Sequence, residues 1–293
     1  MIYISINMAV AQGCSDAGIC YFSAHKSDIV EEKVIKNSID FGYVFGKGPK
    51  SVTYNNAYLG YNHDFSEQFN LSLRTTYNQA HGDFGTIGQL GDVFLVGNYN
   101  FLKTEKSSWE SSFGTKIPLT SANSKINGFA LPMEYQPSLG TYDALFGITY
   151  HYAYWDFNSS LQLPVIQSNR NSYFDEFSAS NDYPSTNLFK RRSDLLLRGS
   201  YNFITANQKW SFKPNLIGIY HLGNDSFEDV FGQRKTIADS KGFTVNANLI
   251  SEYSITNQNS IQWSLAIPLV VRKVKPDGLT RALITQVSYQ YKF

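Results

Sequence analysis

Apolar and polar residues alternate with a period of two over much of this chain. From Phe69 to Tyr77 the odd positions hold Phe, Leu, Leu, Thr and Tyr, and the even positions hold Asn, Ser, Arg and Thr. Trp109 to Leu119 repeats the pattern. Because successive side chains of a strand point to opposite faces, the alternation predicts strands with one apolar and one polar face.

The same alternation recurs often enough to predict about twelve strands. Each is close to the ~9–11 residues that a tilted strand needs to cross a bilayer. The predicted strands lie near Ser38 to Phe45, Val52 to Asn62, Phe69 to Tyr77, Asp92 to Leu102, Trp109 to Leu119, Asp143 to Tyr152, Trp155 to Leu163, Asp194 to Phe203, Trp210 to His221, Phe243 to Tyr253, Ile261 to Val270 and Leu283 to Phe293.

Short and long connections alternate between these strands. The short ones are 63–68, 103–108, 153–154, 205–209 and 254–260. The long ones are 80–91, 120–142, 166–193, 222–242 and 271–282, and only the hairpin at 46–51 is short on that side. Bacterial barrels have short periplasmic turns and longer external loops. The sequence therefore predicts an all-β fold, a closed antiparallel transmembrane β-barrel with both termini in the periplasm.

Composition supports a barrel that presents one face to lipid and the other to water. Tyr (20) and Phe (21) are abundant, whereas charged residues make up only 17% of the chain, and this balance is unusual for a soluble enzyme. No run of about 18 apolar residues occurs, so any membrane crossing is expected to use strands. The net charge of +1 argues against a nucleic-acid partner, which needs a basic surface.

The last strand ends on the aromatic residue Phe293. It resembles the terminal strand of outer-membrane proteins, and this resemblance implies that the barrel-assembly machinery recognises Phe293. Pro214 lies inside a predicted strand, where its missing N–H removes a ladder hydrogen bond, so a bulge or a rim position is expected there.

The amino-terminal region carries two further expectations. Residues 1–11 end in Ala9-Val10-Ala11, the small-x-small pattern of a signal-peptidase site, and are expected to be a signal-peptide remnant; an ordinary first strand is the alternative. Cys14 and Cys20 are the two cysteines, and an oxidising compartment favours a disulfide between them. Lipidation of Cys14, free thiols and an under-coordinated metal site remain as alternatives, and no metal site is expected.

Parity and strand direction predict an uneven lumen. An apolar band is expected towards the external end, formed by Phe94, Val96, Leu145, Leu196, Ile217, Ile219, Val270 and Ile284. A polar floor is expected towards the periplasm, including Asn98, His151, Arg198, Lys213, Glu252 and Gln262. This combination is typical of a small-molecule site. The alternative is that loops fold inwards and pack against the band.

The lumen charges are of mixed sign, which predicts internal ion-pair networks. His151 and His221 have no second His or Cys at metal spacing, so they are expected to be hydrogen-bonded polar histidines. The acidic residues Asp225, Glu228 and Asp229 are expected in a solvated loop, with a calcium site as the less favoured interpretation.

The run from Leu131 to Asp143 has the sequence LPMEYQPSLGTYD, a long loop that closes into a Leu-Gly-Thr strand start. It resembles the barrels grouped with aromatic-degradation outer-membrane transporters, distant relatives of the long-chain fatty acid channel FadL. The resemblance implies passive uptake of hydrophobic compounds. It also implies that an amino-terminal segment, here 12–37, forms a periplasmic region or a hatch inside the bore of a barrel spanning 38–293.

Two functions follow as hypotheses. The first is a passive outer-membrane transporter for small, hydrophobic solutes, captured by external loop aromatics: Tyr173, Phe174, Phe177, Tyr183 and Phe189. The second is a non-transporting barrel whose aromatic loops dock a partner protein. An enzyme and a cofactor are not expected, because no Gly-x-Ser-x-Gly elbow and no evident Ser–His pair occur.

Overall fold

The computed structural model describes residues 11–12, 37–48, 52–178, 182–278 and 280–293. Within these ranges twelve strands form one closed sheet. The strands are β1 (Asn37–Lys47), β2 (Thr53–Asp64), β3 (Phe69–Gly82), β4 (Gly85–Lys103), β5 (Ser107–Pro118), β6 (Thr141–Tyr152), β7 (Trp155–Gln167), β8 (Asp194–Tyr201, continued by Phe203–Ile204), β9 (Trp210–His221), β10 (Gly242–Ser254), β11 (Asn259–Val270) and β12 (Leu283–Lys292).

Every strand pairs antiparallel with its sequence neighbours, and β12 pairs with β1 from Leu283↔Lys47 to Lys292↔Ser38. This last ladder closes the sheet, so the barrel has no free edge. The predicted closed antiparallel barrel of about twelve strands is confirmed. Within the described ranges the only helices are the short 3-10 turns Met133–Tyr135 and Asp175–Phe177, and none there could cross a bilayer.

The two faces of the wall follow the alternation in the sequence. On β1, Ile39, Phe41 and Tyr43 are exposed on the outside, whereas Asp40 and Val44 are buried on the inside. Trp and Tyr side chains concentrate on the outside near one end of the barrel. There Trp155 packs 4.9 Å from Tyr201, and Trp210 packs 4.8 Å from Tyr253, measured between ring centroids. Such an aromatic girdle is typical of barrel walls at a membrane interface.

The two ends of the barrel differ in their connections. At the short-turn end, strands are joined by 65–68, 104–106, 153–154, 205–209 and 255–258. At the long-loop end, four connections are long: 119–140, 168–193, 222–241 and 271–282. The predicted alternation of short and long connections therefore holds, apart from one hairpin.

That hairpin corrects the prediction of a long loop at 80–91. β3 and β4 continue to Gly82 and Gly85, which pair across a two-residue turn at Asp83 and Phe84. The sequence predicted a connection here between two alternating segments, but ladder hydrogen bonds to β3 hold 85–91 as a strand. β5 pairs with β4 only from Asp92 onwards, so residues 85–91 rise above the barrel rim with β3 as their sole strand partner.

Two irregularities in the ladders matter for the lumen. The β8–β9 ladder stops at Ser200↔Asn215 and resumes at Phe203↔Phe212, with Pro214 in the gap, which confirms the irregularity expected from the proline. Between β10 and β11 the register shifts from Val245↔Val270 to Asn246↔Pro268. This extra residue reverses the parity, and Val270 is 48% exposed on the outside, so its inward assignment was wrong.

At the amino terminus, the backbone of Ala11–Gln12 pairs with Thr280–Arg281. The predicted disulfide between Cys14 and Cys20, and most of the predicted segments 1–11 and 12–37, lie outside the described residues.

Candidate functional site: the closed lumen

The predicted apolar band exists, and loop side chains cover it. Its members Phe94, Val96, Leu145, Leu196, Ile217 and Ile219 are at most 6% exposed. They form one cluster with side chains of three long loops: Ala122, Met133, Leu139, Phe189 and Ile237. The loops therefore fold inwards at this end, which was the alternative to an open pocket. We call the four long loops (119–140, 168–193, 222–241 and 271–282) the plug.

Ile284 does not join the rest of the band. It packs in a separate cluster with Val44 and Tyr58, against which Ala266 is partly buried. Ile284 therefore lies outside the patch that the loops 119–140, 168–193 and 222–241 cover.

Hydrogen bonds from one buried amide tie two loops of the plug together. The Asn171 Nδ2 donates to the carbonyl oxygens of Ala122, at 2.9 Å, and Leu131, at 3.0 Å. Its Oδ1 accepts from the hydroxyl of Thr186 at 2.9 Å. Since Asn171 is fully buried, these bonds satisfy backbone groups that water cannot reach.

An aromatic cluster joins the plug to the raised β3–β4 hairpin. The ring of Phe84 lies 5.5 Å from Tyr135, 6.2 Å from Tyr173 and 5.5 Å from Tyr183, and burial raises the pKa of all three tyrosines. Tyr173, Tyr183 and also Phe189 are at most 2% exposed, so the expectation that these loop aromatics face the medium was wrong. Because their loops fold inwards, they hold the plug in place.

Close backbone contact joins two further loops. Gly278 has a φ of +67°, and a Cβ at this position would lie 2.6 Å from the carbonyl oxygen of Met133. Only glycine suits both the conformation and the contact. The loop 271–282 therefore packs directly on the loop 119–140.

Six charged or titratable residues form a buried ion network within and beneath the plug. Asp277 binds the guanidinium groups of both Arg191 and Arg272, and Arg191 also binds Asp194. All four side chains have no solvent exposure. Burial opposes ionisation of Asp277, but Arg272 and Arg191 together hold its pKa below the usual value.

His221 completes this network. Its Nδ1 lies 2.6 Å from an Asp194 oxygen, and its Nε2 lies 2.8 Å from an Asp225 oxygen. Asp225 also accepts the backbone N–H of Arg192 at 2.8 Å. Asp225 is fully buried, so the expectation of a solvated loop was wrong for this residue: its carboxylate meets His221, Arg272 and a backbone donor. Glu228 and Asp229 of the same loop are partly exposed and lie 3.5 Å from Arg234 and Lys235, respectively.

The polar floor at the short-turn end holds a second cluster of the same residue types. Asp156 accepts hydrogen bonds from His151 at 2.7 Å, Lys213 at 2.8 Å and Asn202 at 2.8 Å. The side chain of His151 is 27% exposed. Both histidines are thus hydrogen-bonded, as the sequence predicted, and the structure identifies their partners as carboxylates.

The remaining floor residues also line the lumen. Asn98 donates to Asn70 at 2.8 Å, and Arg198 lies opposite Asn158 in the β7–β8 ladder. Glu252 and Gln262 border a cavity of about 10 Å³ together with Asp40, Ser260, Ser288 and Gln290.

Ion pairs join different strands on the inner face of the wall, as the sequence predicted. Arg74 binds Asp40 at 3.1 Å and lies 4.1 Å above the ring of Tyr58. Lys116 binds Asp143 at 3.0 Å with no solvent exposure. Charged side chains therefore lie both at the polar floor and near the long-loop end of the lumen.

A larger cavity of about 30 Å³ lies between the β2–β4 wall and the plug, where Tyr54, Asn78, Tyr135, Ser138 and Asp277 are among its lining residues. This volume has room for about two water molecules, and a solute needs the plug to move. Among the described residues, no three His, Asp, Glu or Cys side chains are grouped as a metal site.

Sequence reasoning missed the plug side of the buried network, namely Arg191, Arg272 and Asp277. Its only signal was that Asp194 begins one predicted strand and His221 ends the next, which places both at one rim. Nothing in the alternation indicates which loop residues return to meet them.

Comparison with known proteins supports the architecture. No protein-family model matches the sequence, and no curated protein matches it. The structure is similar to the COG4313 outer membrane channel from Pseudomonas putida F1, with a TM-score of 0.63, 14% identity, and coverage of 92% of this chain and 99% of that one. It is also similar to the NanC porin, with a TM-score of 0.50, 10% identity, and coverage of 88% and 100%.

A Pseudomonas aeruginosa FadL homologue aligns with a TM-score of 0.40 at 9% identity, over 88% of this chain and 90% of that one. This score is too low to carry an argument. The comparisons therefore show that the chain shares the β-barrel fold of these outer-membrane proteins, and the finer resemblance to FadL stays a prediction.

Proposed function

We propose that this protein is a passive channel for small solutes in a bacterial outer membrane, with its lumen closed by the plug in this structure. The observation that carries the proposal is a closed twelve-stranded wall, apolar outside and polar within, around a lumen lined by hydrogen-bonding side chains. Two solved barrels with a TM-score of at least 0.50 are described as an outer membrane channel and a porin. Within the hydrocarbon region of a membrane, irregular backbone is tolerated only where protein shields it from lipid, as a closed barrel wall does.

The orientation proposed is the one predicted from the connections, with the short turns and both termini in the periplasm. The last strand supports this orientation. Phe293 exchanges backbone hydrogen bonds with Asn37 at 2.9 and 3.1 Å, so the start of β1 and the end of β12 lie together at the short-turn end. We propose that the assembly machinery recognises Phe293, whose side chain is 45% exposed.

For the solute, we propose a small hydrophobic or amphipathic molecule. Withdrawal of three plug loops from the band uncovers Phe94, Leu145, Leu196, Ile217 and their neighbours, an apolar patch above a polar floor. A patch of this kind binds solute through buried apolar area, at about 25 cal/mol per Å², while the floor groups orient it.

Reconstitution into planar bilayers and liposomes tests both levels of the proposal. We expect discrete conductance steps, and uptake of a small aromatic solute that exceeds uptake of a sugar of equal size. Leu196→Asp is expected to abolish the preference because it wets the band. Leu197→Ala, on the lipid face of the same strand, is the control and is expected to assemble and keep the preference.

Conductance without a preference for the aromatic solute would support the channel proposal and contradict the proposed hydrophobic solute. If protein that is shown to be folded by its heat-modifiable electrophoretic mobility gives neither conductance nor uptake, the channel proposal itself is contradicted.

A second function is favoured by the tips of the plug. Phe129, Phe177 and Phe231 lie on three different loops and are 75%, 75% and 84% exposed. Exposed aromatics serve protein interfaces well. In this alternative the barrel stays closed and docks a partner protein. Replacing all three with Ser would then abolish partner binding, whereas in a channel it leaves conductance unchanged.

A further inference from the structure

His221 is hydrogen-bonded to a carboxylate through each ring nitrogen. Nδ1 lies 2.6 Å from Asp194 and Nε2 lies 2.8 Å from Asp225. An ionised carboxylate can only accept a hydrogen bond, and a neutral imidazole carries one N–H. Two contacts therefore require one proton more than a neutral histidine and two carboxylates supply.

The charges of the network also require that proton. Asp194, Asp225 and Asp277 bring three negative charges, whereas Arg191 and Arg272 bring two positive charges. One added proton makes the cluster neutral. Its side chains have no solvent exposure, and an uncompensated charge at such a site is costly.

This proton holds separate parts of the plug to the wall. Asp194 and His221 belong to β8 and β9, Arg191 and Asp225 to two different loops, and Arg272 with Asp277 to a third. Arg272 further donates to the backbone carbonyl of Ser240 at 2.9 Å. Loss of one bridge thus weakens the attachment of three loops at once.

We propose that His221 is a proton-dependent latch, which keeps the plug closed while it is protonated and releases it as the pH rises. The inference rests on the proposed channel function and names its regulation. The sign follows from linkage: the closed state binds the proton more tightly than the open state, so alkaline pH favours opening.

Charged and titratable groups face His221 or its direct partners from every element packed around it. On or beside the strands these are Asp194 on β8, Arg191 before it, Asp225 after β9, and Asp143 of β6 near Arg191. On the last loop they are Arg272, Lys275 and Asp277. Lys275 is the one other group among them that titrates near neutrality. Burial and the nearby Arg272 lower its pKa to about 8, against the opposing effect of Asp277. Its deprotonation favours the packed loop, so Lys275 cannot account for opening at alkaline pH.

The test is single-channel recording of the full-length protein from pH 5 to pH 10. A one-proton latch raises the ratio of open to closed time by up to about tenfold for each pH unit between the pKa of His221 in the open plug and its higher pKa in the closed plug, and the ratio levels off above the latter. Amide protection factors of 222–241 and 271–278, which are exchange rates corrected for the base catalysis of exchange itself, are expected to fall over the same pH range, and this loop exchange reads out the plug without any solute.

Two variants separate the latch from a general effect of pH. His221→Gln keeps one N–H donor and faces the second carboxylate with an oxygen, so the plug is expected to open at every pH. One oxygen of Asp194 contacts His221 and the other accepts from Arg191. In Asp194→Asn the amide nitrogen can donate the missing hydrogen to His221 while the amide oxygen still accepts from Arg191. The neutral imidazole then suffices, and the plug is expected to stay closed across the range.

His63→Gln is the matched control, a histidine bonded to Asn37 at the short-turn end, and it is expected to retain the wild-type pH dependence of opening. Lys275→Met is expected to keep the alkaline opening and to steepen it above about pH 8, because it removes a group whose deprotonation favours the packed loop. A conducting wild type whose gating and loop exchange ignore pH, or an unchanged pH dependence in both His221→Gln and Asp194→Asn, would overturn the latch. Absence of conductance with pH-dependent loop exchange would keep the latch and reject the channel.

Discussion

The two ends of the lumen hold similar chemistry in different surroundings. At the short-turn end, Asp156 binds a histidine and a lysine whose side chains are 27% and 13% exposed. At the long-loop end, Asp194 binds His221 and Arg191, and all three side chains have no exposure. Water can replace a lost partner at the first site and cannot at the second. The difference teaches that the plug, and not the residue types, turns ordinary ion pairs into structural ones.

Removing the carboxylate at the centre of the buried network should have the largest effect. Asp277→Ala leaves Arg191 and Arg272 in excess inside the plug, and we expect it to lower the free energy of plug opening by about 3–5 kcal/mol. Amide hydrogen exchange of the plug loops measures this loss. Exchange rates equal to those of the wild type would mean that the network is open to water, and the contrast between the two ends would fail.

A neighbouring pair on β3 extends the comparison to the wall. Leu73 is 46% exposed on the outside, and Ser72 faces the lumen, where it bonds to the carbonyl of Val96 at 3.3 Å. Leu73→Arg near mid-membrane should cost about 2–4 kcal/mol and impair assembly, whereas Ser72→Arg should cost much less. Urea unfolding in liposomes compares the two; equal damage would contradict the parity assignment.

Lys275 gives a smaller effect with a defined dependence on pH. Its pKa is about 8 in the folded protein against 10.5 for the ordinary side chain, so the unfolded state binds the proton more tightly. Its contribution to stability therefore rises between about pH 8 and 10.5. Lys275→Met should stabilise the plug by about 1–2 kcal/mol at pH 7 and by progressively less above pH 8. A gain that is constant with pH would assign the effect to packing.

The smallest effect is expected at the hydrated cluster. Lys213→Ala removes one partner of Asp156 and leaves its hydrogen bonds with His151 and Asn202 in place. We expect a loss of about 1 kcal/mol or less in urea unfolding. A loss as large as that of Asp277→Ala would show that the floor is as dry as the plug.

The sequence predicted the wall well because its signal is local. Alternation identified all twelve strands, and Pro214 correctly marked a break in a ladder. It failed where a local rule had an exception in space. The segment 80–91 was predicted as a loop although β3 and β4 pair along it, and the bulge near Val270 reversed the face on which its side chain lies.

The site itself was predicted only in part. Parity placed Phe94, Leu145 and Leu196 on the inner wall, and the structure buries them there. It could not decide between an open pocket and loops packed on the band. The buried partners Arg191, Arg272 and Asp277 gave no periodic signal, because loop residues follow no repeat that reports their direction.

By itself, the sequence determined the strands, their inner and outer faces and the end of the barrel that carries long loops, since a period of two against lipid leaves each strand one way to face. Only the tertiary structure decided that these loops turn inwards, bury Tyr173 and Tyr183, and gather three carboxylates around two arginines and His221. The physical reason is that a network of this kind depends on contacts between segments up to 86 residues apart, whose energies no local pattern encodes.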